Sequence, residues 1–218
     1  MLAIIFPVAV FMFVAAILNG RLFLKKKYSY SEKAHWFIPL LLGSSILLLI
    51  SYNIELAAPS VFVLLLLVTA VGVYLGFSYL WSRTLSMEQV YGLDTIPVAN
   101  RSIVAVNPLA DFTKLFEIFF QDVVVFVLVL SLVSYFESSY LPLIVFTLIV
   151  FVVHIPGIRL FGKIFGTYWL LLSTALAPLA FYLFSFQNGL YYLFALHASI
   201  NLLLYIMIYI LSKKTHKA

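Results

Sequence analysis

Apolar residues in this chain come in long unbroken blocks. They do not alternate with polar ones, as they would in the strands of a membrane β-barrel. Seven blocks are legible: 2–19, 36–53, 60–82, 111–136, 141–155, 165–184 and 189–211. Each reads as a membrane-spanning helix, a segment for which about 20 mainly apolar residues suffice. Breaking residues punctuate the series. Pro59 precedes the third block, Asn107-Pro108 the fourth, and Pro156-Gly157 follows the fifth. Pro178 lies inside the sixth block, where a kink is expected.

Composition fixes the solvent. Of 218 residues, 65% are hydrophobic and 10% charged, and mean hydropathy is +1.14. So little charge cannot clothe a water-soluble domain of this size. The expected fold is all-α: a polytopic integral membrane helix bundle of about seven spans, in a cell membrane. Residues 1–218 form one membrane domain, with three spans and a cytoplasmic loop in 1–110 and four spans in 111–211. The chain has no cysteine, which removes disulfides, thiol nucleophiles and thiolate metal sites.

Charge sets the expected orientation. Arg21, Lys25, Lys26 and Lys27 follow the first block and no basic residue precedes it, the reverse of a cleaved signal peptide. Seven alternating spans put all 13 Lys and Arg on one side, which the positive-inside rule makes cytoplasmic. The N-terminus is then outside and the tail SKKTHKA inside. Glu55 and Glu137 fall in outer loops, and Trp36, Trp81 and Trp169 at inner ends of spans, where indoles favour the interface. The net charge of +5 is therefore a topology signal, and no nucleic-acid partner is expected. The basic tracts 25–27 and 213–217 suit contact with anionic lipid. Asn100-Arg101-Ser102 matches a glycosylation acceptor but falls on the cytoplasmic side.

The fourth block departs from the others. It reads DFTKLFEIFFQDVVVFVLVLSLVSYF, and its first part carries Lys114, Glu117, Gln121 and Asp122. A carboxylate inside a spanning helix costs a few kcal/mol on insertion scales. Glu117 and Gln121 are four apart and share a helical face. Two later blocks carry the other candidates, His154, and His197 with Asn201 one turn on. Taken singly, each has a structural explanation. Glu117 can pair with Lys114 or snorkel, His154 can cap a helix end, and His197 and Asn201 can bond between helices. Taken together, a carboxylate, two imidazoles and an amide on three helices are the parts for activating water and holding an oxyanion.

These residues resemble the motifs of the CPBP intramembrane proteases, the group of CAAX-processing endopeptidases and bacterial Abi-type proteins. That family's first motif is E-E-x-x-x-R, often EEIFFRG, and residues 116–122 read FEIFFQD. Its second is F-x-x-x-H, and residues 150–154 read VFVVH. Its last, H-x-x-x-N, stands intact as HASIN at 197–201. The resemblance covers roughly residues 110–211. It implies an intramembrane endopeptidase in which Glu117 and His154 position and deprotonate a water, while His197 and Asn201 hold the oxyanion. The implied substrate is a peptide or membrane-protein segment. The family is also described as metalloprotease; zinc on two histidines and a glutamate stays open, below a metal-free activated water, since nothing here resembles HExxH.

Phe116, Gln121 and Val150 depart from the family pattern. Either Glu117 has taken over from the glutamate missing at 116, or catalysis is impaired. Asp122 lies about 120° round the helix from position 116 and does not replace that glutamate directly. The rival readings are a pseudoprotease that binds membrane peptides, and a transporter or channel with the polar groups lining a path. A depth mismatch remains: Glu117 and His154 lie near cytoplasmic charges, whereas His197 is about 24 Å along a helix from Lys213.

Overall fold

A computed structural model describes residues 4–14, 30–56, 58–84, 108–136, 140–155, 158, 163–184, 186 and 188–215. Among them there are helices and no strand, in agreement with the all-α expectation. The helices are α1 (Ile4–Val14), α2 (Tyr30–Ser51), α3 (Val61–Thr84), α4 (Pro108–Tyr135), α5 (Leu141–His154), α6 (Lys163–Leu183) and α7 (Gly189–Thr215). The loop residues Glu88, Asp94, Asn100 and Arg101, the basic tract 25–27, Pro156-Gly157, Arg159 and Glu137 lie outside the described residues.

Helix boundaries follow local chemistry. α4 begins on Pro108, whose missing N–H costs nothing at a first helical position. α2 ends in a Schellman turn: Ile54 N–H bonds Leu49 O at 2.9 Å and Asn53 N–H bonds Ile50 O at 3.0 Å. Asn53 takes the left-handed conformation that this turn needs, with φ of 50°. α6 runs through Pro178 without ending there.

Phe112–Tyr135 within α4 is the one described segment long and apolar enough, by length and composition, to cross a membrane. The other described apolar helical stretches are shorter. α4 is also the centre of the fold, in contact with α2, α3, α5 and α7. It meets α1 through Phe11 stacked on Phe120 at 6.4 Å, and the end of α6 through Phe126 and Phe184 at 5.0 Å. Two stripes divide its surface. Phe120, Val123, Val124 and Val127 join the core that holds Leu41 and Leu48 of α2. Leu115 and Ile118 join a smaller cluster with Tyr74 of α3 and Ala198 of α7.

The outward faces stay apolar. Ile46 and Ile50 on α2, Val61 and Val68 on α3, and Leu148 and Val152 on α5 are all more than half exposed.

The approach of α7 depends on Gly189. A Cβ there would run into the carbonyl oxygen of Leu183 and crowd the backbone of Phe184. Only glycine lets the chain double back in the short connection between α6 and α7. Gly189→Ala should therefore destabilise the protein by about 1–3 kcal/mol, the usual cost of forced overpacking. A thermal midpoint in detergent equal to that of wild type would refute this.

Candidate functional site

Glu117 is held on its own helix through its Oε1. That oxygen accepts from Lys114 Nζ at 2.8 Å and from Gln121 Nε2 at 3.0 Å, both on α4. Helical spacing alone makes this clasp, because residues three and four apart are neighbours on the surface. Two donors, one of them cationic, occupy the lone pairs with which that oxygen would otherwise accept a proton.

Phe116 is partly buried against the apolar core. It packs against the cluster around Phe120 and sits edge-on to Phe112 at 5.0 Å. The place where the family pattern has a glutamate is thus lined by hydrocarbon.

Asp122 lies about 140° round the helix from Glu117 and about one and a half turns further in. It falls on the Leu115–Ile118 stripe, which faces α7. There its Oδ1 meets Nδ1 of His197 at 3.0 Å, a contact between residues 75 apart in sequence. Asp122 is 2% exposed, and its Oδ2 has no hydrogen-bond partner among the described residues. Phe119 and Phe194, three residues before Asp122 and His197 on their helices, pack edge-on at 5.8 Å. A buried carboxylate survives only when paired and hydrogen-bonded, and His197 supplies that partner.

Asn201 is buried and turns back on its own helix, where Nδ2 donates to the carbonyl of His197 at 3.0 Å. One of its two amide hydrogens is thereby engaged. His154 closes the last turn of α5, with Nδ1 2.8 Å from Val150 O. A carbonyl can only accept, so Nδ1 carries the proton and neutral His154 presents a bare Nε2. His154 and His197 lie within electrostatic reach of one another.

The structure thus draws His197, Asp122 and Asn201 together, while the described bond of His154 is to Val150 on its own helix. It holds the Glu117 oxygen Oε1 in a separate local clasp. Sequence reasoning named Asp122 among the polar residues of α4 but left it out of the candidate site. The one available signal was its costly position, five residues deeper in the apolar run than Glu117. The depth mismatch eases for the same reason, since the His197 side chain meets α4 at Asp122, five residues deeper than Glu117. α7 itself has 27 residues, about 40 Å, and so exceeds a hydrocarbon core of about 30 Å.

Among the described residues no group of three or more His, Asp or Glu side chains is placed to hold a metal ion. Two histidines and Glu117 are therefore not gathered as a zinc site. Searches against family models, curated proteins and solved structures each found no match to the chain.

Proposed function

We propose that this chain is a seven-span membrane protein of the CPBP type that hydrolyses peptide bonds within the bilayer, with its N-terminus outside and its C-terminus in the cytoplasm. One observation carries the reading: an imidazole on one apolar helix hydrogen-bonded to a buried carboxylate on another. An ionisable pair facing the bundle interior is expensive in lipid and marks function by default. The apolar outer faces of α2, α3 and α5 support burial in lipid, because large exposed hydrophobic patches on a soluble monomer are rare. In this reading His197 and His154 handle the proton of the attacking water. Asn201 retains a second amide N–H for the oxyanion, and Glu117 flanks the site. The substrate is a membrane-protein segment or peptide tail that reaches the inner half of α4, and membrane lipids surround the bundle.

A second reading, a pseudoprotease that binds such peptides, is favoured by the apolar packing of Phe116 where the family's first glutamate would stand. Purified protein in liposomes should cleave some members of a panel of transmembrane and tail peptides, with fragments identified by mass. The double variant Phe116→Glu with Gln121→Arg restores the family pattern and serves as comparison, its folding checked by thermal melting. Cleavage by wild type supports the peptidase. Cleavage gained only in the folded double variant identifies a pseudoprotease. No cleavage by either overturns the peptidase reading and leaves peptide binding or transport.

A further inference from the structure

The Asp122 carboxyl lies against one ring nitrogen of His197, at 3.0 Å, on a helix other than its own. From the geometry we infer that Asp122 is a positioning residue that holds His197 with its proton on Nδ1, so that Nε2 is the general base of the site. This rests on the peptidase reading for its chemistry, while the ring-proton measurement tests it without that reading.

Three candidate bases compete. Glu117 already has its Oε1 engaged by Lys114 and Gln121 on its own helix. His154 has a bare Nε2, but among the described residues its ring bonds the Val150 carbonyl and no carboxylate. His197 alone has a carboxylate against its far nitrogen, at 3.0 Å. An ionised Asp122 can only accept, so Nδ1 must donate and Nε2 keeps its lone pair. The same carboxylate then stabilises the imidazolium that forms when Nε2 takes a proton. A buried aspartate serves a catalytic histidine in this way in the serine-protease triad.

Water supplies both the nucleophile and the proton. As its oxygen bonds to the peptide carbonyl carbon, one water proton passes to Nε2 of His197 and the C=O π pair moves onto oxygen. When the tetrahedral species collapses, the C–N bond breaks and its electron pair leaves with nitrogen. Nε2 returns the proton to that nitrogen. The products are a carboxylic acid and an amine, and the histidine ends as it began.

The ring nitrogens report the proton directly. ¹⁵N NMR on histidine-labelled wild type in lipid nanodiscs at about pH 8, with His197 assigned by the missing signal in His197→Gln, should show a protonated Nδ1 and a bare Nε2, the pattern of a neutral ring. Asp122→Asn should shift that proton to Nε2 in part or fully, because the carboxamide can offer N–H to Nδ1. It should also lower cleavage by about 100-fold or more, the scale of a positioned acid–base group, and Asp122→Glu should recover part of the loss. A wild-type ring with the proton on Nε2, or on both nitrogens, overturns the inference, and this needs no variant to fold. Cleavage by Asp122→Asn within a few-fold of wild type also overturns it, while the peptidase reading stands. If wild type shows the expected ring but cleaves no peptide, Asp122 positions His197 as inferred and the peptidase reading falls instead.

Discussion

His197→Ala should lower peptide cleavage by about 10²–10⁴-fold, the range for a positioned acid–base group, whereas Glu117→Gln should change it only a few-fold. The contrast follows from where each side chain points. His197 bonds across helices, to the buried Asp122. The Oε1 of Glu117 is occupied by Lys114 and Gln121 on its own helix. A glutamine at 117 keeps the shape of that clasp and leaves the contact between α4 and α7 untouched. Initial rates on a peptide found to be cleaved, with each variant matched for thermal midpoint, decide the matter. The reverse order of effects would put the base at Glu117 and reduce His197 to a structural role.

Val68→Asp should cost about 2.5–3.5 kcal/mol if α3 faces lipid, the penalty of an aspartate near the middle of an inserted helix. Val68 is 62% exposed and lies a third of the way along α3. In a water-soluble protein an exposed valine tolerates aspartate within about ±0.5 kcal/mol. The two solvents thus predict different outcomes for one substitution. Membrane-integrated yield and the thermal midpoint in nanodiscs should both fall, while Val68→Leu should behave as wild type. An aspartate variant as stable and as well integrated as wild type would remove α3 from the list of spans. The prediction bears on the multi-span reading directly, because α4 alone is long and apolar enough among the described helices.

The local features of this chain were legible without coordinates. Seven apolar blocks correspond to seven described helices, with ends within a few residues for most. Pro108 opens α4 as the Asn107-Pro108 break implied. The Lys114–Glu117 pair and the backbone bond of His154 were among the bland alternatives that spacing allowed, and both are present. These follow from the sequence because a helix repeats every 3.6 residues, so neighbours three and four apart are fixed by numbering alone. Tertiary structure decided the rest. Which stripe of α4 faces α7 depends on how Tyr74, Leu115, Ile118 and Ala198 pack together, and no local rule supplies that. That packing turns Asp122 onto His197 across 75 residues and leaves Glu117 on another face. It also packs Phe116 against the apolar core that holds Phe120, where a motif alone suggests a catalytic position. Hydrophobic blocks carry no information about azimuth, since a helix that is apolar all round can bury any face. The rotation of α4 against its neighbours, and with it the identity of the carboxylate at the site, exists only in the assembled bundle.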